Sequence, residues 1–136
     1  MVRKAVCILV VSVGVAAIAA PVSAHHSRAV FDLDTYIAVE GVVTEITWGN
    51  PHMWVFLDVT DESGKIVKWG IEGPAATAAV QSGLSPRLLK VGARVIFKTH
   101  PAKDRSKHIG DMEGIVINGK TIYTRGAIVR SSDNER

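Results

Sequence analysis

The stretch His52–Asp61, which reads HMWVFLDVTD, decides the fold class of this chain. Its side chains alternate strictly between two faces. One face carries Met53, Val55, Leu57 and Val59, and the other carries His52, Trp54, Phe56, Asp58 and Thr60. A period of two residues over this length is typical of a β-strand that packs one face against a core. The stretch therefore predicts a strand with an apolar inner face and a mixed outer face.

Strand patterns also dominate the sequence on both sides of this stretch. A preceding strand that starts near Tyr36 changes phase at Gly41, which indicates a bulge or a sharp bend. A third strand is expected over Lys65–Glu72, with Trp69 on its apolar face. The remaining expected elements are a short helix over Gly73–Gly83, strands over Arg94–Thr99 and Met112–Ile117, and a hairpin turn at Asn118-Gly119 that leads into Lys120–Thr124.

This order of elements predicts a mainly β fold. Three meandering strands, one short helix and two or three returning strands describe an OB-like antiparallel barrel of five to six strands. The helix is rich in alanine, and its small side chains suit it to close one mouth of the barrel. Another small β-roll with the same order of elements is the alternative.

Residues 1–24 have the pattern of a secretory signal. Positive charge at Arg3 and Lys4 precedes the apolar run Ala5–Ala20, and Pro21–Ala24 ends in the small residues that a signal peptidase favours. We expect cleavage after Ala24 and export to the periplasm, with an uncleaved anchor as the alternative. The single cysteine lies within this signal, so the mature domain would contain no disulfide.

The formal charge argues against a nucleic acid or an anionic membrane as the partner. The full chain has 16 basic and 13 acidic residues, a net charge of +3. Removing Arg3 and Lys4 with the signal lowers the basic count from 16 to 14, against 13 acidic residues. A nearly neutral mature domain has no electrostatic reason to bind a polyanion.

The mature chain divides into three segments. Residues 25–35 form a polar lead-in segment with two apolar anchors, Val30 and Phe31. Residues 36–130 hold the strands of the barrel, and residues 131–136 form a polar tail that is expected to fray.

Several segments resemble a family of exported bacterial domains called DUF6152. These segments are His25–Ser27, Val42–Trp48, Asn50–His52, Lys68–Glu72 and Leu89–Val95. The resemblance covers nearly all of the mature chain, although Gly49 departs from the usual look of the family. It implies an exported small β-domain and brings no established activity with it.

Histidines provide the first candidate site. Cleavage after Ala24 would give His25 a free α-amine beside its imidazole, with His26 next in the chain. Nitrogen ligands of this kind favour Cu(II), followed by Zn(II). We expect His25, His26 and His52 to converge on one metal ion, with His100 placed to close the site. A tail whose histidines bind nothing is the alternative, and His108 is expected to be solvated.

The outer face of the central strand provides the second candidate site. His52, Trp54 and Phe56 share that face, where polar residues would be usual. Three explanations of this aromatic outer face are open. The lead-in segment covers the face, a ligand binds to it, or the barrel curves enough to bury both faces of the strand. With His100 nearby, this surface would recognise an unknown envelope protein or a small ligand without any metal.

Catalytic motifs are absent from the sequence. It contains no nucleophile elbow, no HExxH zinc motif and no phosphate-binding glycine loop. The basic loop Pro101–Asp111 is interleaved with acids and is interpreted as an ordinary solvated loop. We therefore expect a non-enzymatic periplasmic binding domain that holds copper or zinc, or else a metal-free OB-like module.

Overall fold

The strands and the helix form largely where the sequence patterns predict them. The computed structural model describes residues 28–125 of the chain. Its elements are a 3-10 turn at Arg28–Val30, β1 at Ile37–Thr47, β2 at Trp54–Thr60, β3 at Ile66–Glu72, α1 at Ala76–Gln81, β4 at Arg94–Pro101, β5 at Ile109–Ile117 and β6 at Lys120–Thr124.

Five of the strands close into a barrel. The strands β1 and β2, β2 and β3, β1 and β4, and β4 and β5 pair antiparallel. The barrel is closed by a short parallel pairing of β3 with β5, between Gly70–Glu72 and Ile109–Asp111. The sixth strand extends the sheet by pairing antiparallel with β5. This is the predicted mainly β, OB-like barrel.

The strand β1 pairs with two neighbours: its first half pairs with β4 and its second half pairs with β2. Its change of phase lies between Val43 and Glu45, not at Gly41 as the sequence predicted. Gly41 faces inward, and a Cβ there would lie 2.7 Å from the Asp58 carbonyl oxygen. The glycine is therefore required by the close approach of the β2 backbone, while the bulge follows it.

The core lies on the predicted inner faces. Fully buried positions alternate along β2 and β4, and the segment around α1 adds three more. These residues are Met53, Val55, Leu57, Val95, Phe97, Ala79, Leu84 and Leu89. Trp69 lies on the inward face of β3 as expected, but it is only partly buried and packs at the margin of the core. The small side chain of Ala79 lets α1 approach the barrel closely.

The hairpin between β5 and β6 has the expected turn. Asn118 and Gly119 both have positive φ angles, 53° and 75°. Asn-Gly is favoured in such two-residue turns because both positions need the left-handed region. Beyond the hairpin, Tyr123 packs into the core cluster, and this burial raises the pKa of its phenol above the ordinary value.

No helix within residues 28–125 is both long enough and apolar enough to cross a membrane. The predicted secretory signal and the polar tail lie outside the described residues.

Alternation of faces along the strands makes a stability prediction. Phe97 is fully buried, whereas Phe56 on the outer face of β2 is 36% exposed. Replacing Phe97 by alanine should lower the free energy of unfolding by about 3–5 kcal/mol, the usual cost of emptying an aromatic core site. The matched control Phe56→Ala should cost about 1 kcal/mol or less. Denaturant titration measures both, and equal losses would mean that the faces of β2 are wrongly assigned.

Candidate functional site

A row of four side chains crosses the outer face of the barrel where β3 meets β5. The pairing register places Trp54 beside Glu72, Glu72 beside Asp111, and Asp111 beside His100. Residues paired in this way project from the same face of a sheet. We call these four residues the cross-strand row. Three of its members are ionisable, and all three are buried: Glu72, His100 and Asp111.

Two arginines compensate the acidic groups at the centre of the row. Arg28 donates from Nε to Asp111 Oδ2 at 2.9 Å, and Arg125 donates from Nη2 to Asp111 Oδ1 at 2.6 Å. Glu113, two residues further along β5, forms an ion pair with Arg125, its Oε1 lying 2.9 Å from Nε. The Asp111 side chain is 5% exposed, so its charge depends on these guanidinium partners. Because Arg28 precedes β1 and Arg125 follows β6, the cluster ties both ends of the described chain to the barrel.

His100 is committed to the structure at both ring nitrogens. Its Nδ1 donates to the Thr35 carbonyl oxygen at 2.8 Å, and its Nε2 lies 3.4 Å from Glu113 Oε1. The Tyr36 ring covers it, with the two ring centroids 4.2 Å apart. The side chain is 4% exposed. His100 is thus buried and held at both ring nitrogens, and its role in closing a metal site or lining the ligand surface stays a prediction.

The described part of the lead-in segment lies beside the end of β4. Asp32 N–H donates to the Pro101 carbonyl at 2.9 Å, and Phe31 forms a bridge with Ala102 and is buried. The Thr35 hydroxyl donates to the Asp32 carboxylate, and this hydrogen bond lowers the pKa of Asp32. The hydrogen bonds, ion pairs and bridge of residues 28–35 are with β4, β5 and the loop between them, and none of these is with Trp54 or Phe56.

His52 has one nitrogen engaged and one available. Its Nδ1 lies 3.2 Å from the Gly73 carbonyl and 3.4 Å from Glu72 Oε1. A carbonyl only accepts, so Nδ1 carries the hydrogen and the Nε2 of the neutral ring has a free lone pair. The side chain is 33% exposed. Metal-binding histidines are oriented in this way, by a carbonyl or carboxylate at the second nitrogen.

Trp54 and Phe56 form a flat surface on β2, which we call the aromatic strip. Their rings are nearly parallel, with an interplanar angle of 15° and centroids 6.1 Å apart. Both rings lean over Gly70 of β3, where a Cβ would lie 3.3 Å from Phe56 Cε1 and 3.5 Å from Trp54 Cζ3. The absence of a side chain at Gly70 thus lets both rings pack directly on the β3 backbone. The strip lies on the outer face, where the sequence alternation placed it, and it is partly open to solvent.

The loop between β4 and β5 is largely a solvated surface. Arg105 pairs with Asp32 at 2.6 Å, and Asp104 accepts from the Ser106 hydroxyl, which lowers the pKa of Asp104. His108 is exposed, as expected, and its ring lies edge-on to Trp69 at 5.5 Å. The Lys103 and Lys107 side chains are exposed as well.

His25 and His26 lie outside the described residues, so the structure places only His52 of the predicted metal set. Among residues 28–125, no group of three or more histidine, cysteine or acidic side chains is arranged to hold a metal ion.

Sequence analysis missed Glu72, Asp111 and the two arginines. Glu72 ends a strand and Asp111 lies in one, but nothing in the local sequence shows that these strands pair with each other. Their proximity depends on the parallel closure of the barrel.

The fold and the register together define a small OB-like β-barrel domain with an open aromatic face. The chain belongs to DUF6152, described as a family of unknown function, whose sequence model matches residues 10–111. A search of curated proteins finds no match.

One solved structure to which the chain is similar is the ZRD-deleted mutant of TiaS in complex with agmatine. The two sequences are 19% identical, the similarity covers 68% of this chain, and the TM-score is 0.44. It covers 22% of the TiaS chain, so this protein spans about a fifth of that chain's length. A similarity of this degree carries no argument about function.

The arginine-bound carboxylate gives a second stability prediction. Asp111→Ala should lower the free energy of unfolding by about 1–3 kcal/mol, because charged hydrogen bonds to two guanidinium groups are lost. The partly exposed arginines regain water, which keeps the loss below that of a fully buried pair. Asp58→Ala, which breaks a solvent-exposed pair with Lys68, should cost less than about 1 kcal/mol. Thermal unfolding of both variants measures the difference, and equal losses would contradict a special role for Asp111.

Proposed function

We propose that this protein is an exported, non-enzymatic binding domain of the periplasm whose ligand lies on the aromatic strip. The observation that carries the proposal is the stacked, partly exposed pair Trp54 and Phe56 above Gly70. Aromatic rings on a strand are normally buried, and two adjacent rings open to solvent are costly unless something binds them.

The position of the strip in the fold supports this proposal. OB-type barrels bind their ligands on the face of strands two and three, between the loop that joins strands one and two and the loop that joins strands four and five. Trp54 and Phe56 lie on β2, and Gly70 lies on β3. His52 belongs to the first of these loops and His108 to the second, and the His108 carbonyl accepts from Gly70 N–H at 2.9 Å.

The experiment is a binding screen read by NMR on the processed domain. Indole N–H signals of the three tryptophans report separately on Trp54, on Trp48 and on Trp69. We expect size-fractionated envelope extract to contain a component that shifts the Trp54 signal, and Phe56→Ala, which keeps that signal, to weaken its binding by about tenfold or more. The control Ile96→Ala removes an outer-face side chain that is 37% exposed, close to the 36% of Phe56, and should leave binding unchanged.

Two results would contradict the proposal. Ligand shifts that map to the face around Ile96 would place the site elsewhere on the barrel. A Trp54 signal that no fraction moves would leave the aromatic strip without a ligand.

A second candidate function follows from His52. We propose that the processed N-terminus binds one Cu(II) or Zn(II) through the His25 amine and imidazole, with His26 or His52 completing the set. The contact of His52 Nδ1 with the Gly73 carbonyl and its approach to Glu72 leave Nε2 free for a metal. Arg28, three residues after His25, is bound to Asp111, the register neighbour of Glu72. This attachment places the start of the described chain one strand away from Glu72, whose carboxylate lies near His52.

Calorimetry with Cu(II) tests the metal candidate. His52→Ala should weaken binding by about tenfold, which corresponds to about 1.4 kcal/mol, because one nitrogen ligand is lost. One extra residue before His25 should weaken it more, because the chelate between the amine and the imidazole is broken. His108→Ala should leave the affinity unchanged. Equal Cu(II) affinity for the native and extended N-termini would rule out the chelate.

A further inference from the structure

Glu72 is a buried acidic residue that lacks a strong partner among the described residues. Its side chain is 8% exposed, and the basic side chain that comes within 4 Å of it among the described residues is His52, whose Nδ1 lies 3.4 Å from Oε1. That nitrogen points its hydrogen toward the Gly73 carbonyl at 3.2 Å, so Glu72 receives at most a shared and weak hydrogen bond. Burying a carboxylate without a full partner is costly, and such groups are usually paired.

The charges around Glu72 leave it uncompensated. Arg28 and Arg125 both bind Asp111 and Glu113, so two guanidinium groups face two other carboxylates. Glu72, the register neighbour of Asp111, adds a third carboxylate to this surface. Within residues 28–125, the cross-strand row and its partners therefore hold one negative charge more than positive charge.

The outward neighbour of Glu72 is an aromatic ring. Trp54 is its direct cross-strand partner on β2, and the indole extends toward Gly70 and Phe56. A carboxylate and an indole at neighbouring positions on one face of a sheet together attract organic cations, since the ring carries a negative face and the carboxylate carries a full charge. Among residues 28–125, no fully buried side-chain nitrogen or oxygen lacks a hydrogen-bond partner, so the remaining exposure of Glu72 includes its oxygens.

We infer that the ligand of the aromatic strip carries an ammonium group, which binds between Glu72 and Trp54 while its apolar body lies on Trp54 and Phe56. This inference rests on the proposed function, because it names the chemical class of ligand for the same surface. The ammonium supplies the positive charge that the row lacks. The partly exposed rings of Trp54 and Phe56 supply contact for the hydrocarbon part.

Matched probes separate the charge from the shape of the ligand. Benzylammonium is compared with benzyl alcohol, and choline with its neutral carbon isostere, by NMR titration of the processed domain. We expect each cation to bind about tenfold more tightly than its neutral partner, because cation–π contact and the carboxylate together contribute on the order of 1–2 kcal/mol. Vesicles of phosphatidylcholine, tested by sedimentation, show whether the same group is also recognised on a membrane surface.

Glu72→Gln keeps the shape of the side chain and removes its charge, so it should reduce the cation preference to about twofold or less. The control Glu40→Gln removes an exposed carboxylate on β1 that pairs with Arg94, and it should leave the preference intact. Should Glu72→Gln fail to fold, Trp54→Leu takes its place. Trp54→Leu keeps apolar contact and removes the π face, so it should also lower the preference for cations over their neutral partners.

Failure of this inference is distinguishable from failure of the proposed function. Equal binding of cations and neutral partners at the Trp54 signal would overturn the ammonium assignment and leave the aromatic strip as the site. A cation preference that survives both Glu72→Gln and Trp54→Leu would place the charge recognition elsewhere and overturn it as well. A Trp54 signal unmoved by the probes and by every envelope fraction would overturn both.

Discussion

The short parallel pairing between β3 and β5 is the constraint on which the rest of the structure depends. Only three residue pairs form it, from Gly70–Ile109 to Glu72–Asp111. Without them the sheet would be open and Glu72 would lie on an edge strand. With them the barrel closes, and the acidic ends of two strands that are distant in sequence lie about 5 Å apart, the ordinary spacing of neighbouring strands.

This closure brings several carboxylates together on one surface, and two arginines near the ends of the described residues compensate their charge. Asp111 and Glu113 would repel each other and Glu72 if they stood alone on a partly buried surface. Arg28 and Arg125 reach them from outside the five-stranded barrel, one before β1 and the other after β6. The same interactions order the lead-in segment, whose Phe31 then fills the space beside Ala102. Charge compensation at one row thus acts together with the backbone hydrogen bonds at Pro101 and Lys103 to hold the N-terminal segment.

The predictability of the structure follows from the range of each interaction. Alternation in β2, the Asn118-Gly119 turn and the helix at Ala76–Gln81 are local, and the sequence predicted them. The outer-face position of Trp54 and Phe56 followed from the same alternation. The bulge after Val43 was misplaced because Gly41 is required by contact with another strand, which local sequence does not report. The roles of His100 and Glu72 depend on the β4–β5 and β3–β5 registers and were not predictable for that reason.

The proposed metal ion and the proposed organic cation would both act on Glu72. Glu72 lies beside His52, which the Gly73 carbonyl orients for a metal, and the same carboxylate is proposed to accept an organic cation. A metal ion on His52 Nε2 makes the Nδ1 hydrogen a stronger donor, so the nearby Glu72 would become better compensated. The same carboxylate would then attract an ammonium group less strongly, because part of its charge is already satisfied. Linkage makes this effect reciprocal, so each ligand would weaken the other through Glu72 by the same factor.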